Sequence, residues 1–174
     1  MYKPASRLFL LLLFVSFIVS NLKAQNAGKT DLNALQFTEQ VDTLLSGVSG
    51  LKKGLLFDQQ DMISYGFENQ KFDFSGYVPL HLEVLSYKGL LAGYAFKIST
   101  FEGQQRVAKY LSATYKGLET DPVDWETTYK YSNRRIVLEM QSVTQEQYKK
   151  GMNGYLSIKR ADFAKAFDAL LKRP

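Results

Sequence analysis

Apolar positions open the chain as one run, Leu8 to Val19 interrupted only by Ser16, and afterwards spread into two alternating periodicities. Phe37, Val41, Leu44, Leu45 and Val48 recur at the spacing of one helical stripe, which predicts a helix stopping near Ser46 or Gly47. Residues 57–79 hold aromatic side chains among Asp, Gln, Asn and Gly without a sustained period, and only Gln70 to Phe74 alternates, as a short edge strand would. Leu80, Leu82 and Val84 then alternate with His81 and Glu83, and a second run ends at Ile98. The pattern predicts strands over 80–87 and 90–99, joined by a tight turn in which Gly89 accepts a positive φ.

Helical spacing returns at Val107, Tyr110, Leu111, Tyr115 and Leu118, with Gly117 placed as a C-cap. Thr120 to Asp124 reads as a loop around Pro122, and strands over 127–131 and 134–140 flank Ser132-Asn133 as a second hairpin. Gln141 to Gly154 reads as a polar excursion, Tyr155 to Lys159 as a short strand, and Phe163, Phe167, Leu170 and Leu171 as the stripe of a final helix N-capped by Asp162.

Helices alternating with hairpins, without crossover helices between single strands, predict an α+β fold. The expected form is a two-layer sandwich, an antiparallel sheet of about 5–6 strands packed against about 3 helices. A helix-plus-hairpin unit occurs twice, with unequal intervals between helix and hairpin.

The first segment changes how the rest is read. Lys3 and Arg7 precede the apolar run and Leu22-Lys23-Ala24 follows it, the order of a secretory signal peptide cleaved after Ala24. The 12-residue run would extend about 18 Å as a helix, short of the roughly 30 Å hydrocarbon core, so no stable transmembrane anchor is expected. The expected organisation is a signal peptide at 1–24, a flexible arm at 25–34 and a single domain at 35–174, exported to the periplasm or the extracellular space. Cleavage removes Lys3, Arg7 and Lys23 and no acid, so the formal charge falls from +5 to +2 and argues against a nucleic-acid partner. With no cysteine, an exported domain has no disulfides and rests on its core alone.

Candidate chemistry is sparse. His81 is the sole histidine, the side-chain type suited to proton transfer near neutrality, yet it has no second histidine or cysteine with which to build a metal site. Glu119, Asp121, Asp124 and Glu126 crowd one segment but lack the Asp/Asn-Gly pattern of a calcium loop. Trp125, Tyr129 and Tyr131 stand beside these acids, and together with His81 they are the candidate ligand-binding residues, in the manner of an aromatic platform edged by carboxylates. From Lys149 onward Lys149, Lys150, Lys159, Arg160, Lys165, Lys172 and Arg173 outnumber Asp162 and Asp168, a candidate basic patch. Nucleophile-elbow, zinc-protease, P-loop and dinucleotide motifs are missing, and neither a cofactor nor a metal is expected.

The pattern therefore points to an exported, non-catalytic binding module whose partner is a protein or an envelope polysaccharide or lipid. A small glycan-acting hydrolase using the acids of the 119–126 segment is the enzymatic alternative. Membrane-surface association through the basic C-terminal region is the third.

Overall fold

The computed structural model describes residues 28–172. The expected signal peptide at 1–24 and the first residues of the expected arm, 25–27, lie outside the described residues. Eight strands form one antiparallel sheet: β2 (Lys52–Leu56), β3 (Gln59–Glu68), β5 (His81–Tyr87), β6 (Leu90–Ile98), β7 (Glu119–Val123), β8 (Glu126–Ser132), β9 (Ile136–Val143) and β10 (Gly154–Arg160). Their order across the sheet is β2-β3-β5-β6-β10-β9-β8-β7. Two short strands, β1 (Thr30–Asp31) and β4 (Phe72–Asp73), make a separate parallel pair. The α-helices are α1 (Val41–Leu44), α2 (Phe101–Thr114), α3 (Gln145–Lys149) and α4 (Ala161–Leu171).

This corrects the expected sandwich of 5–6 strands on 3 helices. Strand dominates, two further strands extend the sheet at one end and one at the other, and the helices do not form a single layer. The expected helix over Phe37 to Ser46 is one turn, because Phe37 sits at φ 63° and Gly47 at φ 77°, both outside the helical basin. Its stripe still packs inward, with Val41 and Leu45 buried. The expected loop at 120–124 is the edge strand β7, and the polar excursion after Gln141 contains α3.

The repeat enlarges as well. A helix followed by a four-strand meander occurs twice, α1 with β2, β3, β5 and β6, then α2 with β7 to β10. The last strands of the two units pair antiparallel at the centre of the sheet, Ala95 opposite Ser157. Gly93 permits that junction: a Cβ there would lie 2.7 Å from the Ile158 carbonyl oxygen.

One face of the sheet carries the main core. Leu82, Val84, Tyr94, Phe96, Leu138, Met140, Leu156 and Ile158 project from the strands. Val107 and Leu111 of α2, with Phe72, Phe74 and Tyr77 from the crossing loop, cover them. Thr100 caps α2 by accepting from the Gly103 amide at 3.1 Å. The opposite face is covered at one end only, where Phe163 of α4 is buried against Met62, Leu85 and Ala92.

Candidate functional site

The uncovered part of that second face is built by strand register. Lys52 pairs with Gly66, Gly66 with Glu83, and Glu83 with Ala95. Ala95 pairs with Ser157, Ser157 with Glu139, and Glu139 with Lys130. Directly opposed residues share a face, so one row crosses seven strands: Lys52, Gly66, Glu83, Ala95, Ser157, Glu139, Lys130. Small residues make its floor, and Glu83 and Glu139 stand symmetrically about the Ala95–Ser157 centre. Their backbones are three strand spacings apart, about 14 Å.

The next row brings Tyr155 between Lys97 and Gln141, and on the far side His81 opposite Glu68. Two cavities open on this face. One, of about 250 Å³, lies beside α4 and is bordered by Leu85, Glu139, Ser157 and Phe167. The other, about 580 Å³, extends past Lys97, His81 and Glu68 to Gly50. Glu83, Ala95 and Tyr155 border both, so the two form one continuous groove.

The groove is polar in an ordered way. The Ser64 hydroxyl donates to Glu83 and fixes that carboxylate. Burial pushes the Tyr155 phenol above its ordinary range, and Glu83 and Glu139 push it further, so it stays a protonated donor. Lys159 places its Nζ 4.9 Å from the centre of the Phe167 ring, closing the groove at the helix end.

The sequence-predicted residues are divided by the sheet. His81 lies in the groove. Trp125 and Tyr129 border a cavity of about 270 Å³ on the other side, against Phe101, Gln104 and Ala108 of α2. Asp124 and Glu126 edge that cavity, whereas Asp121 pairs with Thr128 and Thr128 with Gln141, placing Asp121 in the Tyr155 row of the open face. Tyr131 leaves the platform and packs its ring 5.0 Å from that of Tyr115. The aromatic set is thus two residues, not three, and His81 does not join it.

The basic patch also divides. Arg160 donates to Asp162 and to the backbone carbonyls of Phe37 and Leu91, which makes it a structural clamp on the N-terminal segment. Lys150 pairs with Glu146 at 2.7 Å. Asp162, expected to cap α4, sits inside the first turn, where the Arg160 guanidinium holds its carboxyl below the ordinary carboxylate range.

Glu83, Glu139, Ser157 and Tyr155 are the residues that reading along the chain missed. Each falls on a polar position of an alternating strand, where a solvent-facing side chain is the ordinary outcome. Among the described residues no three His, Asp or Glu side chains gather as a metal site, and no helix is long and apolar enough to cross a membrane. No family model, characterised protein or solved structure matches the chain.

Proposed function

We propose that this chain is an exported, non-catalytic binding module, released from its signal peptide after Ala24, and that the uncovered sheet face is where a protein partner docks. The observation that carries this reading is the continuous groove across the centre of the sheet. Neighbouring strands that bury large apolar residues on one face present Gly66, Ala95 and Ser157 on the other, a floor that leaves room for something else.

Photo-crosslinking tests it. A photoreactive residue is placed at Tyr155 in the groove or, as control, at exposed Lys109 on α2, and envelope extract is irradiated. One discrete adduct from position 155 and none from 109 is the expected result. Equal labelling from both positions, or none, counts against the groove as a docking surface.

Trp125 and Tyr129 sharing one cavity favours a second reading, a glycan held against the Trp125 ring, which is 43% exposed. Because Trp125 is the only tryptophan, its fluorescence reports that cavity directly. A saturable shift with chito- or gluco-oligosaccharides, lost in Tyr129→Ala, is expected on this reading. A flat titration ends it.

A further inference from the structure

The groove ends beneath α4 in a chamber whose two walls differ in kind. Leu56, Leu85 and Phe167 make one wall apolar, while Glu83, Glu139 and the Tyr155 phenol face it across the Ser157 floor. Ser157 is only 8% exposed, it borders the chamber, and its hydroxyl has no hydrogen-bond partner among the described residues. The hydroxyl is not sealed from solvent, so it opens into the chamber and is free to bond an occupant. The charged groups bordering the chamber are Glu83, Glu139 and Lys159, a net charge of −1. Lys159 is turned onto the Phe167 ring, and among the described residues neither carboxylate has a lysine or arginine within ion-pair distance, Lys130 opposite Glu139 included.

From this arrangement we infer that the chamber receives the side chain of a lysine or arginine carried by the docking protein, its cationic head at Glu139 and the Ser157 hydroxyl, with Glu83 adding negative charge from across the floor, and its apolar stem along Leu85 and Phe167. This rests on the reading of the groove as a protein-docking face and names what that face selects. The protein's own Lys159 already sets a cation against this wall, its ammonium 4.9 Å from the centre of the Phe167 ring. The raised Tyr155 phenol agrees, since both carboxylates act at that point as negative charge. An ammonium or guanidinium suits the site because it donates to several acceptors at once, and its hydrogen bonds to a carboxylate are charge-assisted.

The test uses backbone amide NMR of the mature chain titrated with Nα-acetyl-lysine amide, Nα-acetyl-arginine amide and the neutral Nα-acetyl-norleucine amide. Saturable shifts at Gln141, Tyr155 and Ser157 with the two cationic probes, and none with norleucine, are expected. Glu139→Gln should weaken the cationic probes about tenfold, as loss of one charge-assisted bond implies. Ser157→Val should weaken them while Glu139 remains, which separates the floor hydroxyl from charge alone. Equal shifts from norleucine and lysine, or no shift with any probe, overturn the inference, as does a Glu139→Gln protein that binds lysine unchanged. If the lysine probe fails while crosslinking from position 155 still yields its adduct, the docking face stands and the cation pocket falls. If crosslinking fails while the probes bind, the chamber holds a cation but the protein-docking reading falls.

Discussion

The two faces of the central sheet are made by the same strands and have opposite characters. On the α2 side the strands contribute Leu, Val, Tyr, Phe, Met and Ile, and nearly all are buried. On the other side the alternate positions of those strands carry Gly66, Glu83, Ala95, Ser157 and Glu139, and only the α4 end is covered. A sheet whose second face merely met water would need polar side chains there. It would not need two small residues, Ala95 and Ser157, side by side between two symmetric carboxylates. The covered face supplies stability and the open one supplies shape.

The largest test of that division is on the covered side. Phe74 is fully buried, and its ring lies 5.6 Å from that of Phe96 and 5.5 Å from that of Tyr110. Phe74→Ala should cost about 3–5 kcal/mol, read as a lower urea midpoint at an unchanged slope. A loss below about 1 kcal/mol would mean that the crossing loop, with Phe72 and Tyr77, is not part of the core.

Gly93→Ala probes the seam between the two four-strand units. The added methyl would meet the Ile158 carbonyl oxygen at 2.7 Å and the Lys159 Cα at 3.1 Å, both backbone atoms, so the two central strands must part. A cost of about 1–3 kcal/mol is expected. The shift should appear in amide exchange at β6 and β10 before it appears at either sheet edge. Unchanged stability would show that the seam can slide, and with it the row that places Glu83 and Glu139.

Alkaline unfolding separates the faces by their tyrosines. Burial holds the Tyr94 phenol well above its ordinary range, and burial pushes Tyr115 up to about 12. In the unfolded chain both ionise near pH 10, so above that pH the unfolded state binds fewer protons than the fold and stability falls as pH rises. The slope approaches about 1.4 kcal/mol per pH unit for each phenol protonated only in the fold, and half-buried Tyr115 contributes less than Tyr94. Tyr94→Phe should therefore flatten the alkaline limb of a stability profile. Tyr155→Phe, on the open face, should flatten it less.

What could be read along the chain follows the same division. The β5–β6 hairpin was legible because Leu82 and Val84 alternate with polar neighbours and Lys88-Gly89 form a turn with φ of 56° and 81°. β3 was not, because Met62 packs under α4 while Tyr65 and Phe67 pack into the main core, so apolar residues occupy both faces and the period is lost. β7 escaped because a fully exposed edge strand containing Pro122 has no buried face to impose alternation. The Val41–Val48 stripe identified which residues pack but not their backbone, since Phe37 and Gly47 leave the helical basin. The groove was least legible, because Glu83 and Glu139 come to flank one floor only through the pairing of β6 with β10.

The smallest expected effect is also the most discriminating. Glu139 is exposed and has no hydrogen-bond or ion-pair partner among the described residues, so Glu139→Gln should change stability by no more than about 0.5 kcal/mol. Ala95 differs: it is buried in the floor, and a larger side chain there would fill the groove without disturbing the α2 core. Ala95→Leu should therefore leave the urea midpoint close to that of the parent and abolish crosslinking from position 155. If it unfolds the chain instead, the floor is part of the packing and the open face loses its separate role. If the fold is kept and the crosslink disappears, the small residues are there to leave space, as a binding face requires and a stabilising face does not.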